Sequence, residues 1–191
     1  MDELQKLLLI LNGGDDERAE AVIPELAGYG ETAVDALRPG LNDPDPDIRW
    51  WTVRALAEIP HPQVPGLLLK AFGDEDITVR QCAALGLQRQ PHDQAVPALI
   101  EALSSGDYLL SNLAGDALIA AGQPAVPALL EVMQTGVQAS RLVAARALAM
   151  IGDHRSIPAL FEALSEDSVM IEYWANEGLE RMGVGMTFFK P

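Results

Sequence analysis

The chain has 191 residues, 49% of them hydrophobic, which is ample for a buried core. Thirteen Lys+Arg against 28 Asp+Glu leave a net charge of −15, a field that repels nucleic-acid phosphates and anionic membrane surfaces and suits a basic partner. The single cysteine, Cys82, excludes an internal disulfide and gives no support to an oxidising compartment.

The opening MDELQKLLLILNGGDDE has an acidic front and no small-residue cleavage site, so it does not read as a signal peptide. No apolar run approaches the ~20 residues of a membrane span, and a cytoplasmic location is expected. Residues 2–11 are predicted as a short helix stopped by Asn12-Gly13-Gly14. A first helical hairpin follows at 18–29 and 32–41. It is the least regular, with Pro24 expected to interrupt its first helix, as terminal repeats often are.

From Asp45 onward the pattern repeats. Arg18, Arg49, Arg80, Ser111, Arg141 and Glu172 form a column with steps of 31, 31, 31, 30 and 31 residues, and Leu56, Leu87, Leu118, Leu148 and Leu179 follow its last five members by seven places. Such a period means one helical hairpin stacked repeatedly, an all-α fold of the α-solenoid class. Asp45, Asp76, Asp107, Val137 and Ser168 stand where each first helix needs an N-cap. Valine cannot accept a hydrogen bond there, so a frayed or differently started helix is expected near Gly136.

Small residues (Ala83 and Gly86, Ala114 and Ala117, Ala144 and Ala147, Ala175 and Gly178) recur three and six places after the column and let a neighbouring helix approach closely. Each second helix opens at a proline, Pro65, Pro97, Pro127 or Pro158, and carries one apolar face, as in Val96, Leu99, Ile100 and Leu103. A last helix over 168–182 has no second helix after it. The tail GVGMTFFKP, with Met186, Phe188 and Phe189, is expected to fold back over it. The expected division is one domain over 1–191: an N-terminal cap (1–14), repeats at 15–42, 43–73, 74–104, 105–135 and 136–165, and a final helix with tail (166–191).

The Asp-x-x-Ile-Arg and Asp-x-x-Val-Arg starts, the following Ala-Leu pairs, the turn Gly152-Asp153-His154-Arg155 and the run Ile157-Pro158-Ala159-Leu160 resemble the HEAT-like repeats named after phycobilisome lyases. The resemblance covers roughly residues 15–182. It implies a right-handed superhelix of antiparallel helix pairs, first helices (A) outside and second helices (B) lining the concave side. It also implies company among bilin lyase subunits, phycobilisome-degradation adaptors and di-iron deoxyhypusine hydroxylases, so the repeat does not by itself give an activity.

The hydroxylases carry His-Glu pairs for iron. Here His61, His92 and His154 are followed by Pro62, Asp93 and Arg155, and all three histidines read as turn residues with no metal to hold. The arginine column is expected to bond neighbouring aspartates or turn carbonyls and so fix the register between hairpins. Glu101, Glu131 and Glu162 share one position on three successive B helices, opposite the apolar face. At a ~9 Å spacing in water their repulsion is only about 0.5 kcal/mol per pair, so the row stands without a partner and offers charge to a basic one.

Trp51, Cys82, Leu113, Val143 and Trp174 share a column read as core. Trp50 and Tyr173, one place before it, read as semi-exposed anchors. Cys82 has no histidine on its helix and does not read as a nucleophile. Phosphate loops, nucleophile elbows and paired-cysteine motifs are missing.

These features read as a non-enzymatic protein–protein interaction module without a cofactor. It would bind a basic or amphipathic segment through Glu101, Glu131 and Glu162, with Trp50 and Tyr173 at the edges, and neither nucleic acid nor membrane. The resemblance implies an alternative, an accessory subunit of a phycobilin lyase or a bilin-handling chaperone.

Overall fold

Aspartate starts most of the longer helices. In the computed structural model, which describes residues 1–166 and 168–184, Asp2 caps α1 (Glu3–Leu11): its carboxylate accepts from the Gln5 amide at 2.8 Å while the Gln5 side chain accepts from the Asp2 amide. Asp15 caps α2 (Asp16–Gly28), and after α3 (Glu31–Leu37) Asp45 caps α4 (Pro46–Leu56). Beyond α5 (Val64–Ala71), Asp76 caps α6 (Ile77–Arg89). Beyond α7 (Val96–Ala102), Asp107 caps α8 (Tyr108–Ala121). Each such cap is worth about 1 kcal/mol against alanine.

The remaining elements are α9 (Val126–Thr135), α10 (Gln138–Ile151), α11 (Ile157–Ala163) and α12 (Val169–Arg181). Contrary to expectation, α10 neither frays nor shifts at Val137, which sits extended at the cap position and accepts from the Arg141 amide through its carbonyl. The first turn is held from the side instead, where the buried Ser140 hydroxyl donates to the Leu103 carbonyl at 3.0 Å. Ser168 takes the cap place of α12 without a side-chain hydrogen bond.

Two further expectations fail in the first hairpin. The helix α2 runs through Pro24 to Gly28, and the expected helix over 32–41 stops at Leu37 and tightens into a 3-10 segment, Arg38–Asn42, around Pro39, which has no N–H to continue the ladder.

The chain divides into two compact units, Met1–His92 and Asp93–Pro191, and the division falls within the expected repeat over 74–104. In the first unit α1 packs on α2, α2 on α4, α4 on α6, and α5 on α6. Leu11, Ile23, Leu26, Leu56, Leu68 and Leu87 fill the core, each buried side chain contributing roughly 1.5–3 kcal/mol. In the second unit the A helices α8, α10 and α12 lie side by side, while α7 packs on α8, α9 on α10 and α11 on α12. Leu99, Leu118, Leu129, Leu148 and Leu160 fill that core, and the small residues Ala114, Ala117, Ala144, Ala147, Ala175 and Gly178 are all buried. The all-α hairpin architecture expected from the period is therefore present.

Arg49 ties the first unit together as expected. Its guanidinium is buried, meets Asp74 through two bonds (Nε to Oδ2 at 2.8 Å, Nη2 to Oδ1 at 2.9 Å) and donates from Nη1 to the Asp43 and Pro44 carbonyls. Arg80 donates to the Asp74 and Glu75 carbonyls. In the second unit Arg141 donates to the Met133 carbonyl and pairs with Glu166. The tail residues Met186, Phe188 and Phe189 lie outside the described residues. Among those described, no single helix is long and apolar enough to cross a membrane.

Candidate functional site

The first turns of α8 and α12 and the cap position of α10 carry apolar residues where a solvated helix start would carry polar ones. Tyr108 is 85% exposed, and Leu109, Val137, Val169, Met170 and Tyr173 are exposed with it. Between these turns lies a pocket of about 420 Å³, walled chiefly by Leu103, Tyr108, Leu142, Val143, Met170 and Trp174. That is within the size range of small-molecule sites.

Its polar groups are few. Asp107 and Ser111 are among its lining residues, and Arg146 supplies the positive charge, bonded to Asp116 Oδ1 at 2.8 Å and to the Asn112 carbonyl at 3.3 Å. The small Gly115 keeps this wall close, because a Cβ there would stand 2.4 Å from Val143 Cγ1 and 3.1 Å from Arg146 Nη2.

Tyr173 is exposed at 53% and stacks edge-on against Trp174, ring centroids 5.2 Å apart, so it flanks this pocket without lining it. Trp50 is half-buried in the first unit, edge-on to Trp51 at 4.8 Å, beside a second concavity lined by Asp16, Asp47, Trp50, Trp51 and Thr78. The column read as core is only partly so. Cys82 and Val143 are buried, whereas Trp51, Leu113 and Trp174 are half-buried. Burial pushes the Cys82 thiol up to about 12.

Glu101, Glu131 and Glu162 are all exposed, on α7, α9 and α11. Tyr173 sits on an A helix and the glutamates on B helices, so the residues expected to form one interface occupy different layers of the second unit. His61, His92 and His154 stand at turns. Among the described residues no group of three or more His, Cys, Asp or Glu side chains could hold a metal.

Sequence reasoning singled out Trp50 and Tyr173 by their aromatic character and missed the pocket. Its signal was present in the apolar first turns, Tyr108-Leu109-Leu110 and Val169-Met170-Ile171, read only as helix starts.

The HEAT-repeat pattern matches residues 4–74 and 64–140, and the PBS lyase HEAT-like repeat matches residues 140–166. A phycobilisome maturation protein of Synechococcus elongatus is 37% identical over 105 residues, 54% of this chain and 50% of that protein. Phycocyanobilin lyase subunit beta of Pseudanabaena tenuis is 41% identical over 76 residues, 40% of this chain and 27% of that protein. The chain thus spans half or less of the curated relatives it matches.

Among solved structures, the complex of CpcE and CpcF of phycocyanin lyase from Nostoc sp. PCC7120 superposes with a TM-score of 0.61 at 21% identity, over 75% of this chain and 96% of that one, a likeness of fold. These relatives correct the expectation of a module outside enzymology. A named lyase subunit aligns with this chain, which favours the alternative that the family resemblance implied over the main reading. With the HEAT pattern running from residue 4 to residue 140 and the related repeat beyond it, the chain belongs to the HEAT-repeat family.

Proposed function

We propose that this protein is a subunit of a bilin lyase or phycobilisome-maturation system that takes part in the lyase reaction by holding a protein partner and a linear tetrapyrrole. The alignment with the phycobilisome maturation protein, 37% identity over 105 residues, carries this reading, and the lyase subunit beta supports it.

The pocket of the second unit is the place this reading gives the tetrapyrrole. Such a pigment is a long conjugated apolar body with acidic side chains. Leu142, Met170 and Trp174 offer apolar walls, and Arg146 offers a cation at their side. The exposed row Glu101, Glu131 and Glu162 is the place it gives a basic or amphipathic segment of the partner.

The test is to titrate the purified protein with phycocyanobilin, following the visible spectrum and the quenching of Trp174. A Met170→Lys variant serves as the pocket control. Binding that shifts the pigment band and is lost in the variant supports the reading. An unchanged spectrum, together with no complex formed with an antenna polypeptide or a second HEAT-repeat subunit on size exclusion, overturns it.

A further inference from the structure

The concavity in the first unit asks for a different ligand. Its walls are two indoles and two carboxylates. Trp50 and Trp51, whose rings meet at an interplanar angle of 85°, both line the hollow. Asp16, in the first turn of α2, and Asp47, in the first turn of α4, complete it with Thr78.

Several other carboxylates of this unit are engaged, and the unengaged Glu17, Glu25 and Glu31 do not line the hollow. Asp74 holds Arg49, Glu20 and Glu58 hold Arg54, and Asp45 and Asp76 cap helices. The carboxylates of Asp16 and Asp47 accept no hydrogen bond and join no ion pair among the described residues, and no basic side chain lines the hollow.

The repeat supplies an internal comparison. At the position of Asp47 the later repeats carry Thr78, Leu109, Ala139 and Met170. At that of Trp50 they carry Gln81, Asn112, Leu142 and Tyr173. Stacking therefore requires neither an acid nor an indole at these places, and a packing role explains neither.

We propose that this hollow binds a cationic side chain, specifically the guanidinium of an arginine on a partner protein. An aromatic face attracts a cation through its quadrupole, and a free carboxylate beside it completes the ion pair. Arginine suits the site better than lysine because its planar fork can stack on an indole and bond a carboxylate at once, whereas an ammonium is compact and strongly hydrated. The site is separate from the tetrapyrrole pocket and stands or falls without it.

The test uses the full chain and fluorescence anisotropy of a labelled, end-blocked tetra-arginine peptide, with a tetra-lysine peptide for comparison. Asp16→Asn with Asp47→Asn is expected to weaken tetra-arginine binding about tenfold, and Trp50→Leu about fivefold. Trp50→Phe keeps a ring and guards against misfolding, and should fall between Trp50→Leu and the parent. Tetra-lysine should bind about threefold more weakly than tetra-arginine. The charge reversal Glu25→Lys, Glu31→Lys, Glu180→Lys, at exposed acids outside both sites, controls for the general acidity of the chain and should leave the affinity within about twofold. Absence of tetra-arginine binding overturns the proposal. So does binding that the reversal abolishes while the aspartate and tryptophan variants leave it unchanged.

Discussion

Gly86 and Gly178 occupy the same repeat position, six places after the arginine column, where the other regular repeats carry Ala55, Ala117 and Ala147. Replacing either glycine by alanine gains about 1 kcal/mol of helix propensity, so the contacts of the added methyl decide the sign. At Gly178 the new Cβ would lie 2.9 Å from Ala149 Cα and 2.9 Å from Ala149 Cβ, with Leu160 Cδ1 also at 2.9 Å. Backbone of α10 cannot yield without moving α12, and overpacking against three atoms at 2.9 Å falls in the upper part of the usual range, about 2–3 kcal/mol. At Gly86 the nearest atoms are the Leu68 methyls at 2.8 and 2.9 Å, the far end of a side chain that can rotate away, with Ala57 Cβ at 3.2 Å.

Gly178→Ala should therefore lose about 1–2 kcal/mol net and lower the Tm by about 2–8 °C, while Gly86→Ala stays within about 1 kcal/mol of the parent. Urea unfolding followed by far-UV circular dichroism gives both values. Because Trp174 lies one helical turn before Gly178 and lines the pocket of the second unit, Gly178→Ala should also change the tryptophan emission. A Gly178→Ala protein as stable as the parent, or one less affected than Gly86→Ala, would refute the argument that this residue sets the distance between α10 and α12.

Arg49 holds the Asp74 carboxyl below the usual carboxylate range through their paired hydrogen bonds. A lowered folded value means the stabilisation is complete above the unfolded value of about 4 and is lost as pH falls through the folded one. Thermal melts between neutral and strongly acidic pH should show an acid-side loss that Asp74→Asn reduces, along with a lower Tm at neutral pH from the buried guanidinium left with a poorer partner. Cys82, buried and with its thiol pushed up to about 12, should resist a thiol reagent at mildly alkaline pH in the native protein and react fully in urea; rapid native labelling would contradict its burial. Reversing Glu101, Glu131 and Glu162 to lysine should abolish capture of the partner polypeptide while shifting the Tm by no more than about 2 °C, since all three are exposed. Unchanged capture would remove the row from the interface.

The features legible in the sequence are those the repeat imposes on every copy. Asp45, Asp76 and Asp107 could be assigned as caps because each faces the same backbone amides one period apart, and Leu56, Leu87, Leu118, Leu148 and Leu179 because each fills the same gap between helices. Val137 shows the limit of that logic: a cap position is defined by its neighbours as well as its side chain, and the bond from Ser140 to Leu103 holds α10 in register without it.

Binding features follow the opposite rule. The pocket beside Trp174 draws two to four residues from each of three helices, and the hollow at Trp50 pairs an acid with an indole, a pair that no other copy carries. No period announces such places, and composition alone cannot say which side of a helix they share. They become visible when the repeats are superposed and the residues that stacking does not need are picked out. By that criterion Asp47, Trp50, Tyr108 and Met170 stand apart from the packing columns, and they lie on the A helices, whereas the family resemblance had directed attention to the B helices and their glutamates. In the second unit the A helices hold the apolar pocket while the B helices expose the glutamate row, and in the first unit the acidic and aromatic hollow is again built from A helices.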